Sequence, residues 1–470
     1  MRTKNNTILL SDKAMLNTNA EFLKNELTDV ARLFDGGLQA DIFHNFLYAE
    51  NHFINTVIID GKEYDFTETY APANELEFKR YAKRFAKLAL YEVLSAVYGK
   101  KMPWGSLTGI RPTKLAYAER EAGRDFRALF EKFGVSEENI SIVEDILCEQ
   151  EGIYQKREGD ADLYVGIPFC PSKCTYCSFI TADIRATEKF LPDYLRALER
   201  EIAACREFPL RYKSAYVGGG TPLVLSVKEL EPILKAVRAL VPSDVEFTVE
   251  AGRPDVFGEE KLSLLKDYGV TRICVNPQSF NDRTLAAIGR RHTAADIYRA
   301  YEMSTKFGFL VNFDLIAGLT GETLAEFSYS IDEAVRLSPE NITVHTLCLK
   351  KGAKLKESES RLEVEDIGNM IAYSREKLYG AGYLPYYLYR QKYMAGNCEN
   401  TGWCRKGTEC VYNVDIMEEI TDNVACGANA VSKKVIFGEG RIERYGAPKD
   451  LKTYIGKTDA ILEEKRKLYL

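Results

Sequence analysis

The chain has 470 residues, 46% of them hydrophobic and 28% charged, with a net charge of −6, eleven cysteines and four histidines. Such a length allows two or three domains with cores of their own. The acidic balance argues against general nucleic-acid binding, which usually needs a basic face. No apolar run is long enough for a membrane span, and after the basic start only Ile8-Leu9-Leu10 is apolar, too short for a secretory signal core. These features predict a cytoplasmic protein. In that compartment a tight group of cysteines is better read as a metal site than as disulfides.

Residues 1–158 read as an α+β domain. Phe53 to Asp60 is strand-like, Gly61-Lys62 is a turn, and apolar positions recur every three or four residues from Glu75 to Tyr98, predicting a helix. The charged stretch from Gln155 to Asp162 reads as a linker. From Leu163 onwards, six short β-rich runs (LYVGIPF, SAYVGG, EFTVEA, TRICVN, VNFDLIAG and NITVHTL) alternate with amphipathic segments such as Glu188–Arg206, Lys228–Leu240 and Leu324–Leu337. Successive βα units predict a parallel sheet. Six of them, over 159–380, predict an α/β fold: a partial, TIM-like (β/α)6 barrel with its chemistry at the C-terminal strand ends. Residues 381–470 read as a small, loop-rich C-terminal region covering it.

Cys170-Pro-Ser-Lys-Cys174-Thr-Tyr-Cys177 directly follows the first of these strands. Three thiolates on one loop can hold three irons of a cubane [4Fe–4S] cluster, whereas most cluster sites use four cysteines. The next cysteine, Cys205, falls in a predicted helix, so one iron is left to accept a substrate. Structural zinc is the alternative, but it normally has four closed ligands, and no histidine lies near enough to complete the set.

Other polar residues fall at strand ends. Gly218-Gly219-Gly220-Thr221-Pro222 would let backbone approach a ligand, or is simply a tight turn. Glu250 could pair with an ammonium or ribose group, or cap the next helix. Gln278 offers a donor and an acceptor, and Arg290 would suit a carboxylate unless it is a solvated surface residue. Asp314 lies inside an apolar strand, where an unpaired charge is costly.

The C-x3-C-x2-C loop on the first strand of a six-unit βα domain resembles the radical S-adenosylmethionine (SAM) superfamily. There the open iron chelates the methionyl end of SAM, and one electron yields a deoxyadenosyl radical. The stretches LYVGIPFCPSKCTYCSF, VGGGTP, TVEAGRPD, NPQSFNDRTLAAIGRRH, NFDLIAGLTGET and CGANAVS resemble one branch, the oxygen-independent coproporphyrinogen III oxidases and their relatives, in a longer form with an extra N-terminal domain.

The resemblance implies that Tyr164, Gly219, Glu250 and Val431 contact a SAM on the cluster. It also implies that Tyr176, Gly220, Thr221, Gln278, Arg290, Asp314 and Cys348 contact a second SAM. The implied activity is decarboxylation of two propionates of coproporphyrinogen III to give protoporphyrinogen IX in heme synthesis, with flavodoxin or ferredoxin as electron donor. Gly166 departs from the family's usual histidine. The alternatives are a heme chaperone, whose C-terminal His-Asn is replaced here by Tyr412-Asn413, and a radical methyltransferase or heme-cleaving enzyme.

Smaller features carry open readings. Cys398, Cys404, Cys410 and Cys426 could hold a second cluster or be free buried thiols. Tyr383–Tyr393 with Arg390 could line a tetrapyrrole pocket or form a core edge. Gly109–Lys114 puts two cations around a proline turn, suited to propionates or to docking on the barrel, with ordinary surface charge the favoured reading. A structural role is the default for His44 and His52, while His292 could orient Arg290 and His345 faces the proposed pocket.

Overall fold

The computed structural model describes residues 7–11, 14–34, 38–109, 111–179, 181–348, 364–391, 394 and 397–470. Ile110 and Tyr393, in two of the stretches above, lie outside them. The chain divides into two units: Met1–Glu144 with Arg390–Cys398, and Asp145–Tyr389 with Glu399–Leu470.

The first unit carries five strands in the order β1 (Thr7–Ser11), β2 (Ala14–Thr18), β3 (Ile42–Ala49), β4 (His52–Ile59) and β5 (Lys62–Thr69). The predicted helix is present as Glu75–Tyr98. Asn74 starts it by accepting the Glu77 N–H at 2.9 Å, and Gly99 ends it in the left-handed region. His44 is buried between Thr18 and Asn55, at 3.0 and 2.9 Å, which satisfies both ring nitrogens and makes it a structural residue. His52 is exposed, against the Glu50 carbonyl.

The second unit is built on one large sheet. Its six predicted parallel strands are β6 (Asp160–Ile167), β9 (Arg211–Gly219), β10 (Glu246–Gly252), β11 (Arg272–Gln278), β12 (Leu310–Ala317) and β13 (Asn341–Thr346). Two-residue strands, β7 (Phe169–Cys170) and β8 (Ala182–Asp183), pair with each other beside them. The helices Leu191–Ala204, Val227–Leu240 and Leu324–Leu337 match the amphipathic segments. Capping boxes at Ser226/Glu229 and Thr323/Glu326 fix where two of them begin. Asp160 to Asp162, expected in the linker, already belong to β6, where the Asp162 carboxylate accepts hydroxyls from Ser214 and Thr421 at 2.6 Å each.

The sheet continues past residue 380. β15 (Asn400–Cys404) pairs antiparallel with β13, and β14 (Leu384–Tyr389) with β15. On the other side β16 (Asp422–Cys426) lies parallel to β6 as a seventh parallel strand, followed by β17 (Val431–Ile436) and β18 (Arg441–Gly446). The order β14-β15-β13-β12-β11-β10-β9-β6-β16-β17-β18 leaves the sheet open rather than closed. The expectation of a loop-rich region after 380 is therefore corrected. These strands are only five or six residues long, and runs such as NTGWC and DNVAC lack the alternation or β-branched density that marks a strand. Among the described residues, no helix is long and apolar enough to cross a membrane.

Candidate functional site

The cysteine loop leaves the C-terminal end of β6. Its course is set by backbone contacts with the glycine segment after β9: Gly220 N–H donates to the Ile167 carbonyl and Thr221 N–H to the Phe169 carbonyl, both at 2.8 Å. A Cβ at position 220 would fall 2.6 Å from the Phe169 oxygen, so only glycine fits there. Cys170 and Cys177 are partly exposed, Cys174 is buried, and all three are free thiols. Burial pushes the Cys170 and Cys177 thiols up, while the Thr221 hydroxyl, 3.5 Å from the Cys170 sulfur, and the Arg253 charge favour its thiolate.

The spread of these thiols bears on what they can hold. Among the described residues, the ligand atoms of Glu149, Cys404 and Glu409 lie within 4.8 Å of one another, and the three loop sulfurs do not form such a group. One zinc ion, about 2.3 Å from each sulfur, would draw them to roughly 3.8 Å apart.

Beside the loop is a cleft whose lining includes Tyr164, Gly219, Glu250, the Ala428-Asn429-Ala430 turn and Phe179. Gly219 has φ +107°, and its N–H donates to the Glu250 carboxylate at 3.2 Å, while the Tyr216 hydroxyl donates to the other oxygen at 2.7 Å. Burial, reinforced by the like charge of Asp314, raises the Glu250 pKa to about 7 against these hydrogen bonds. Hydrogen bonds hold the turn that lines the cleft. Gly427 N–H donates to Glu201 at 2.9 Å, Ala428 N–H to Tyr194 at 3.2 Å, and Tyr194 in turn to the Gly166 carbonyl at 2.7 Å.

Two further predicted residues, Arg290 and Thr221, contact the cysteine loop. Arg290 donates to the Tyr176 hydroxyl at 3.0 Å and to the Asn276 carbonyl, and it is buried rather than a solvated surface residue. Thr221 faces Cys170 as described. Gln278 sits just past a register shift in β11, with φ +69°. Its Oε1, together with Asn276 Oδ1 and Arg290 Nε, is buried without a hydrogen-bond partner. Orphaned buried polar atoms are uncommon and point to a missing partner.

Asp314 stands apart from that group. Part of the partner its strand position demands is supplied by Asn312, which donates at 2.7 Å, and by His345, 3.8 Å away. His345 also meets the Tyr389 hydroxyl at 3.3 Å. Cys348 is partly exposed. Val431 is 42% exposed and lies one residue beyond the cleft wall. The wall residues 428–430 and Phe179 were missed in sequence, although the CGANAVS and CTYCSF stretches contain them; turn backbone and an exposed aromatic have no spacing signature.

The remaining candidates disperse. Cys410 donates to Glu246 at 3.1 Å, Cys404 lies against Glu409, Cys426 lies 3.6 Å from Cys205, and Cys398 belongs to the other unit. The four do not form a second cluster site. Tyr383, Tyr386 and Tyr387 are buried in the core.

Residues 164–334 match the model of the radical SAM superfamily. The oxygen-independent coproporphyrinogen-III oxidase-like protein HemZ of Bacillus subtilis is 35% identical over 426 residues, 85% of this chain and 84% of its own. The chain belongs to the radical SAM, coproporphyrinogen-oxidase-like family. Other family relatives carry a different description. The heme chaperone HemW of Escherichia coli is 27% identical over 291 residues, covering 60% of this chain and 72% of that protein. Coproporphyrinogen III oxidase (HemN) of Escherichia coli shares the fold, with a TM-score of 0.54 at 21% identity over 66% of this chain and 72% of its own. The family's [4Fe–4S] cluster and SAM fit the residues present: free thiols at the right end of the sheet, a glycine cradle with no room for a Cβ, and buried polar atoms lacking partners.

Proposed function

We propose that this family member carries out oxygen-independent oxidative decarboxylation of coproporphyrinogen III, with Cys170, Cys174 and Cys177 holding a [4Fe–4S] cluster. When bound, cluster and SAM together supply a radical that abstracts hydrogen. Everything else is the work of the chain. Tyr164 and the 428–430 turn would enclose the SAM beside the cluster, and Glu250, ionised, would receive its ammonium or ribose. Tyr176, Gly220, Thr221, Gln278, Arg290 and Asp314, with Cys348, are proposed for a second SAM, and Val431 for a peripheral contact with the first.

The observation that carries this reading is the adjacency of the cleft to the cysteine loop at the C-terminal strand ends, where such folds do chemistry. Each of two propionates would become a vinyl group by losing a β-hydrogen atom to the radical, carbon dioxide, and one electron to a one-electron acceptor. A flavodoxin or ferredoxin is the proposed reductant for the cluster.

A second reading, heme binding and transfer, is favoured by the relatives described as heme chaperones. Against it, Tyr412, at the place of the chaperones' histidine, is buried and stacked on Tyr216 with ring centroids 4.5 Å apart. An anaerobic assay with dithionite, SAM and coproporphyrinogen III, read by mass spectrometry, separates the two. Vinyl-bearing product together with 5′-deoxyadenosine supports decarboxylation. Deoxyadenosine with an unchanged porphyrinogen refutes it, and stoichiometric heme binding would then favour the second reading.

A further inference from the structure

Arg253 follows β10 at the mouth of the sheet and is 2% exposed. Its Nε and Nη2 pair with both oxygens of Asp255 at 2.9 and 2.8 Å. The remaining arm, Nη1, reaches across to the middle of the cysteine loop, donating to Ser172 Oγ at 2.6 Å and lying 3.5 Å from its carbonyl. Asp255 is further bounded by His292, whose buried Nδ1 lies 3.8 Å away. A planar guanidinium committed to two partners at once fixes distance and angle together. The loop between Cys170 and Cys174 is thus tied to a rigid strand end by one side chain, while Arg290 holds Tyr176 further along it.

The pair does more than hold the loop. Arg253 and Asp255 carry opposite charges in a buried setting, where charge is screened far less than at the surface. Cluster potentials respond to net charge and hydrogen bonding around the sulfurs. A cluster on three thiolates gains one negative charge on reduction, so a nearby cation favours the reduced form and a nearby anion opposes it.

We propose that Arg253 and Asp255 form a clamp that positions the cysteine loop and, through their balanced charges, sets the reduction potential of the cluster it holds. This rests on the reading that Cys170, Cys174 and Cys177 hold that cluster. Arg253 and Asp255 are positioning residues, acting through Ser172 and the field at the loop.

The test is a potentiometric titration of the reconstituted full-length protein followed by electron paramagnetic resonance, with iron per chain measured on every sample. Arg253→Met leaves Asp255 uncompensated and lowers the potential. The reduced fraction at fixed poise falls several-fold and at most about tenfold, which is 59 mV for a one-electron couple. Asp255→Asn leaves Arg253 uncompensated and moves the potential the other way. Arg253→Lys keeps the charge and stays near wild type in potential, while losing iron to a chelator faster. Shifts of one sign, or none, in variants with full iron overturn the proposal. If Arg253→Met does not retain iron, Asp255→Asn decides alone, and a downward or absent shift overturns the clamp. A wild-type protein without a cluster would instead sink the cluster reading itself, and the clamp with it.

Discussion

The two ends of the parallel sheet treat buried charge differently. At the N-terminal ends, Arg272 donates to Asn341, to Glu246 at 3.1 Å, and to the carbonyls of Thr408 and Glu409 at 2.9 and 3.2 Å. Asp162 accepts from Ser214 and Thr421. Apart from Arg272 Nε, these groups meet protein partners, so they serve stability. At the C-terminal ends, Gln278 Oε1 and Asn276 Oδ1 are buried without partners, and Glu250 stands beside an open cleft with its pKa raised to about 7. Polar groups poised without partners are what a ligand site requires. The cysteine loop, the cleft and the raised carboxyl all lie at the C-terminal end.

Changes at the two ends should separate stability from cofactor handling. The largest effect is expected from Cys174→Ala: iron per chain and the cluster's visible absorbance are lost, while chemical denaturation is little changed. Arg272→Met should do the reverse. Leaving Glu246 and Asn341 buried without their cation costs about 3–5 kcal/mol in denaturant unfolding, with iron binding in the folded fraction retained.

Gly220→Ala is a smaller change at the mouth. The added methyl collides with the Phe169 carbonyl, displacing the start of the cysteine loop, and turnover should fall on the order of 10²-fold with modest loss of stability.

The smallest effect is one of pH. Glu250 holds a proton up to about 7, and a cationic ligand favours its ionised form. SAM affinity, measured anaerobically by calorimetry, should therefore rise roughly tenfold between pH 6 and 8, and Glu250→Gln should flatten the profile. Stability runs the opposite way. A raised carboxyl pKa contributes fully below the ordinary value near 4.5, and that contribution is lost as pH climbs through about 7.

The asymmetry between the two ends was partly legible in sequence. The six parallel strands announce themselves as β-branched runs ending in glycine, cysteine or a polar residue, and the cysteine loop is read from its spacing alone. β16 was missed because DNVAC carries too little periodicity, although its pairing with β6 is what brings the 428–430 turn to the cleft. The Arg253–Ser172 contact joins residues 81 positions apart, and no local pattern announces such a pair. Val431, implied by the family resemblance, lies one residue beyond the 428–430 turn.

The most direct test of the account is the electron paramagnetic resonance spectrum of the dithionite-reduced, reconstituted protein with and without SAM. The account predicts a [4Fe–4S]+ signal that changes when SAM is added and is absent in Cys174→Ala. A signal indifferent to SAM, or one that survives that substitution, would contradict it.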